Sequence, residues 1–149
     1  MRSETTGQAA AHRLVQCVLD SDSDGLTDAL ETVVVQQDRL SGYVREVVAE
    51  LIQVAATAVR DSVGPSYGDA AFAVELRDET EGSVSIDELA PQSRATIRAL
   101  LADLNGRAED AQFQLDLAVR ELDPLTGLDT VRRALTMTVA LIQWSGDAR

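Results

Sequence analysis

The sequence predicts a mainly α-helical fold, a bundle of five to six helices with one small β-hairpin at about residues 71–87. Three observations predict it. Apolar residues recur at three- and four-residue spacing over most of the chain, the period of a helix with one buried face. Aromatic residues make up 3% of the chain against a hydrophobic fraction of 45%, so the core must be Leu, Val, Ile and Ala, which suits packed helices better than a sandwich or barrel. Helix breakers punctuate the periodic stretches at Gly64-Pro65, Asn105-Gly106 and Asp123-Pro124.

Residues 1–8 are polar and read as a flexible tail, and 9–149 as a single helical domain, long enough to bury a core without staples. Ala9 to Leu19 forms a first helix, with Leu14, Val15, Val18 and Leu19 on one side. An acidic turn follows. The helical pattern restarts near Asp24, with Leu26, Leu30, Val33 and Val34 in phase, and Ser41-Gly42 breaks or kinks it. Tyr43 to Val63 is the clearest helix. Val44, Val47, Val48, Leu51, Ala55, Ala58 and Val59 form its apolar face, and Gly64-Pro65 ends it.

The period then changes to two. Phe72, Val74 and Leu76, then Val84 and Ile86, alternate with polar or small residues around Asp78 to Gly82, as in a hairpin. Pro91 opens the next helix at the first-turn position it favours. Ile97, Leu100, Leu101 and Leu104 form its buried face, and Asn105-Gly106 ends it. Arg107 to Leu122 forms another helix, stopped by Asp123-Pro124, and a last helix runs from about Leu128 to Trp144. No repeat runs the length of the chain.

Composition narrows the function classes. The formal net charge is −12, which repels phosphate and argues against nucleic acid. All 13 basic residues are arginine, so Schiff-base, phosphate-loop and general-base lysines are excluded. Cys17 is the only cysteine, so no internal disulfide forms. There is no apolar run of the ~18 residues a membrane span needs and no secretory h-region, so the expectation is a cytoplasmic protein without a membrane partner. His12 and Cys17, five residues apart on a helix, point about 140° apart and do not share a metal. No phosphate loop, GxGxxG or Glu-x-x-His motif is present, and a catalytic triad would have to use His12 near the terminus.

The sharpest chemical signal is Asp20 to Glu31. Acids stand at positions 1, 3, 5, 9 and 12 of a twelve-residue window, with Gly25 at position 6. This spacing resembles an EF-hand calcium loop. The resemblance implies side-chain ligands from Asp20, Asp22, Asp24, Asp28 and Glu31, a carbonyl from Leu26, and a sharp turn at Gly25. The context departs from the motif. Thr27 fills a position that is normally aliphatic, the helix after Glu31 lacks the expected apolar spacing, and the only segment in partner register begins with Arg77. The competing reading is an acidic turn in which Ser23 or Asp24 caps a helix and the acids complement its positive end.

The segment Ala95 to Pro124 resembles one tetratricopeptide-type helical hairpin. Gly106, Ala111, Leu115, Ala118 and Val119 fall at similar spacings, with Pro124 one residue late. The resemblance implies two closely approached helices and a peptide-binding surface. It covers about a fifth of the chain, and the first helix lacks the aromatic positions.

The function this sequence suggests is a non-enzymatic, cytosolic interaction protein needing no cofactor. It would present a helical surface to a protein partner or to another copy of itself. Leu135, Met137, Leu141 and Trp144 on the last helix are the expected interface, because the stretch Ala134 to Trp144 is uncharged and apolar on more than one face. The alternative is a calcium-binding module using residues 20–31.

Overall fold

Among the described residues, six α-helices carry the fold: α1 (Thr6–Leu19), α2 (Ser23–Arg39), α3 (Tyr43–Val63), α4 (Pro91–Leu104), α5 (Ala108–Ala118) and α6 (Pro124–Asp147). The computed structural model describes residues 5–40, 42–63, 76–77, 83–84, 90–120 and 123–147. The helical bundle agrees with the sequence. The hairpin expected over about 71–87 is not supported at that extent. Its described part is two two-residue strands, β1 (Leu76–Arg77) and β2 (Ser83–Val84), antiparallel with Leu76 opposite Val84. The rest of that segment lies outside the described residues.

Local chemistry sets each helix boundary. α1 starts at Thr6 and so takes in residues that the sequence assigns to a tail. Thr5 and Gln8 form a reciprocal capping box: the Thr5 hydroxyl accepts from the Gln8 N–H (3.1 Å) and the Gln8 carbonyl oxygen accepts from the Thr5 N–H (2.9 Å). Gly7 lies where α1 crosses α3, and a side chain there would strike Glu46 and the Tyr43 carbonyl. α6 starts four residues before the expected Leu128. The Asp123 carboxylate caps it by accepting from the Thr126 N–H at 2.8 Å, and Pro124 occupies the first position, where no N–H is needed. α5 ends at Ala118, short of the expected Leu122, and Val119 and Arg120 turn the chain.

The core forms around α3 and α6. Val47, Val48, Leu51 and Ala55 of α3 are fully buried with Val131 and Ala134 of α6. Two buried hydroxyls cross this contact. Thr138 Oγ1 lies 3.0 Å from the Leu51 carbonyl and 2.8 Å from the Ala134 carbonyl of its own helix. Ser145 Oγ donates to the Ala58 carbonyl at 2.9 Å. Thr138 and Ser145 are seven residues apart, as are Leu51 and Ala58, and both pairs advance in the same sense. The helices therefore run parallel in one register. Around this pair, α1 packs on α3, and α4 and α5 pair closely as a hairpin against α3. Arg45 (α3) reaches Asp116 of α5 at 2.7 Å, and Arg60 (α3) reaches Asp103 of α4 at 3.5 Å.

The two halves of the chain follow one plan, which corrects the expectation that no repeat spans it. α1 and α4 have the same length, and each ends in a left-handed residue, Ser21 (φ 57°) and Gly106 (φ 74°). Both ends carry the same bond pattern: Ser21 N–H to Val18 O and Asp22 N–H to Cys17 O in one, Gly106 N–H to Asp103 O and Arg107 N–H to Ala102 O in the other. An offset of 85 residues superimposes these caps. The bonds between α3 and α6 join residues 87 apart. The plan is thus a helical hairpin followed by a long central helix, used twice, with the two central helices side by side.

Two outcomes are expected. Thr138→Val keeps shape but removes the hydroxyl, and should cost about 1 kcal/mol in chemical denaturation, while exposed Thr136→Val should cost much less. The second concerns acid. The Thr126 backbone N–H, then its hydroxyl, hold the Asp123 carboxyl below its ordinary 3.8. The stabilisation from a lowered carboxylate is present above the unfolded value and lost as pH falls through the folded one. Asp123→Asn should therefore flatten the stability profile below about pH 4, as measured by thermal melts across that range.

Candidate functional site

The acidic turn takes a definite local form. α1 closes with Ser21 in the left-handed region, and α2 begins two residues later. Asp22 is the cap of α2, its carboxylate accepting from the Gly25 N–H at 2.9 Å. The cap is thus one residue earlier than the Ser23 or Asp24 read from sequence. Asp20 caps the end of α1 and accepts from Gln16 at 2.9 Å, and Asp24 lies in the first turn of α2, at the positive end of its dipole. Asp28 lies 3.8 Å from Arg13 of α1. The sharp turn falls on Ser21 rather than Gly25. Gly25 is helical, and a side chain there would collide with the Asp22 carboxylate and approach Cys17 Sγ at 3.1 Å. An EF-hand loop runs to about position 10 before its second helix starts. Here the helix starts at position 4 and carries Leu26, Asp28 and Glu31 along its length. Among the described residues, no group of three or more His, Cys, Asp or Glu side chains is arranged to hold a metal ion.

Other polar positions have structural partners. His12 Nε2 meets Glu50 Oε2 at 2.8 Å, linking α1 to α3 on an exposed face. Asp103 Oδ2 is buried without a hydrogen bond, but the Arg60 guanidinium answers its charge. The Tyr43 hydroxyl is the exception, buried with no hydrogen-bond partner among the described residues. Burial, then the Glu46 carboxylate, raises its pKa above the ordinary 10.0, so it stays neutral.

The four expected interface residues do not share a face. Leu135 is buried, on the side of α6 toward α1 and α2. Met137, Leu141 and Trp144 follow one another at four- and three-residue spacing on the opposite flank. Trp144 is 48% exposed, while Met137 and Leu141 are half-buried against the core.

The residues around Leu135 build the most distinctive surface feature, a groove of about 390 Å³ between α1, α2 and α6. Val18, Leu26, Leu30, Leu135 and Val139 give it an apolar character, and Arg132, Thr136, Ala140 and Gln143 continue the α6 wall. The second half has a matching cleft between α3, α4 and α5. It includes Asp103, Ala111 and Leu115, which match Val18, Leu26 and Leu30 at the offset of 85. It also includes Ala49, Ile52 and Gln53, which match Thr136, Val139 and Ala140 at the offset of 87. That cleft is smaller, about 170 Å³, and Arg45 bridges its rim to Asp116 and to Gln112 (2.5 Å). The first-half counterparts of Arg45 and Asp116 are Arg132 and Glu31. Among the described residues, neither side chain has an ion pair or hydrogen bond. Sequence reading found Leu135 but not the groove, because a groove belongs to three helices and only their packing reveals it.

No helix among the described residues is long and apolar enough to cross a membrane. No family profile, curated protein or solved structure matches the chain.

If Asp22 acts as a helix cap, Asp22→Ala should cost about 1 kcal/mol, equally with and without calcium. Millimolar calcium should leave the wild-type melting temperature unchanged, since a ligand that binds only the folded state would raise it. A calcium-dependent rise in the wild type, lost in Asp22→Ala, would instead support the EF-hand reading.

Proposed function

We propose that this chain is a non-enzymatic protein-interaction module. The observation that carries the reading is the open groove between α1, α2 and α6. An apolar concavity lined by helix side chains suits a protein segment, because burial of such surface drives association and the helix walls are already formed. Its counterpart in the other half shares most of the lining positions but is smaller and has an ion pair across its rim, so a groove of this size is not a necessity of the fold. The exposed Trp144 provides a second apolar contact point beside the half-buried Met137 and Leu141.

Sedimentation velocity from micromolar to several hundred micromolar, with affinity capture by wild-type chain and by Ala140→Glu, tests this function. Ala140 is an exposed part of the groove wall, so the variant obstructs the groove while keeping the core. The expected result is a concentration-dependent dimer, or a captured protein, that Ala140→Glu abolishes. A chain that stays monomeric and retains nothing sensitive to that change overturns the reading.

A further inference from the structure

We propose that the groove between α1, α2 and α6 receives a short amphipathic helix of a partner protein, with basic residues along the edge on α2 and an acidic residue facing Arg132. This rests on the reading of the groove as a protein-binding surface and adds the kind of segment that fills it.

In the second-half cleft, Arg45 satisfies Asp116 at 2.7 Å and also bonds Gln112, which brings α3 and α5 together at the rim. In the first half the equivalent charges are Arg132, on the α6 wall of the groove, and Glu31, the exposed neighbour of the groove residue Leu30 on α2; neither has an ion pair among the described residues. Thr27 occupies the place of Gln112. It is too short to bridge, and its hydroxyl is already bonded to the Ser23 carbonyl at 3.0 Å. The groove thus carries Arg132 on one wall and has Glu31 beside its other wall, not engaged with each other among the described residues, and a ligand seated there can present the complement of each.

The charge pattern of α2 supplies the basic character of the partner. Asp28 and Gly25 look toward α1, where they meet Arg13 and Cys17. Leu30 and Gln37 mark the side toward α6, and Gln37 donates to the Pro124 carbonyl at 3.1 Å. Asp24, Glu31 and Asp38 are seven residues apart, so they share one outward edge of the helix next to the groove, drifting only about 20° per step. All three are exposed, and none is ion-paired among the described residues. The opposite wall is different: Thr136 and Ala140 are small, Gln143 is uncharged, and Arg132 is its one charge.

Dimensions fit a helix. From Arg132 to Gln143 the wall runs about 16 Å, or three turns. The apolar floor suits residues at i, i+3 or i+4, and i+7 of a docked helix. A second copy fits less well. Each chain carries a net charge of −12, so self-association sets like charges against the acidic edge.

The test uses full-length chain and two synthetic 18-residue amphipathic peptides of Leu, Gln and Lys, the second with Glu replacing every Lys, followed by fluorescence anisotropy. The lysine peptide should bind and the glutamate peptide should not. The triple variant Asp24→Asn, Glu31→Gln, Asp38→Asn should weaken binding about 5- to 10-fold at low salt, and added salt should shrink that difference. Ala140→Glu should weaken binding at least about tenfold although it adds negative charge, because its side chain fills the groove. Should Ala140→Glu prove misfolded by circular dichroism, Thr136→Glu on the same wall takes its place. Unchanged or tighter binding by the wall variant would show unspecific attraction to an acidic protein and overturn the proposal. So would absence of binding, or equal binding of both peptides. A dimer or captured partner that depends on Ala140, without lysine-peptide binding, overturns this inference and leaves the function standing. Absence of both removes both.

Discussion

The bundle depends on the contact between α3 and α6. These helices run parallel in register, and the other four pack around them. A buried hydroxyl without a partner is costly, so Thr138 and Ser145 act as selective elements: they fit only where a carbonyl of α3 comes within reach. Sliding one helix along the other would take the Ala58 carbonyl from Ser145 and leave Thr138 only the Ala134 carbonyl of its own helix. The low aromatic content fits this arrangement, because Ala55, Ala56 and Ala134 keep the core side chains near the contact small.

The second organising fact is the repeated plan. Each half brings a hairpin against the central pair, and each places a concavity between its hairpin and the central helix of the other half. Most of the lining positions correspond, but the rims do not. A longer acceptor, Gln112, and a nearby carboxylate, Asp116, engage Arg45 on one side, while Thr27 and Glu31 leave Arg132 unengaged on the other. Two related clefts therefore differ in size, and what differs at their rims is the reach of a few side chains.

Much of the fold was legible. Tyr43–Val63 and Pro91–Leu104 agree at both ends because strong stops flank them: Gly42, Gly64-Pro65, Pro91 and Asn105-Gly106. The start of α1 was written in Thr5 and Gln8, a capping box just ahead of the apolar run. The start of α6 was written in Asp123-Pro124, which the sequence reading used only as a stop. The acidic loop had the right spacing for calcium, but the nearest donors to Asp22 are the N–H groups of the next helix, and local capping decided the geometry. The repeat was hidden because burial recurs while identity does not: Leu26 matches Ala111, Val18 matches Asp103, and Arg45 with Arg132 is one of few conserved pairs between the halves. For the expected interface residues, composition marks one helix but cannot say which flank each residue joins. That depends on whether its neighbour is α2 or α4.

One consequence follows from how lightly α2 is held. Only Ala29 and Val33 of its residues are buried, while Val34 and Val35 face outward. Local opening free energies track buried apolar contact, so backbone amides of α2 are set to exchange with solvent sooner than those of α3, whose buried face runs nearly its whole length. The wall of the groove is then the least protected helix of the central assembly. Anything seated there slows exchange in α2 before it affects the core, and part of its affinity is spent on reducing the entropy of that helix.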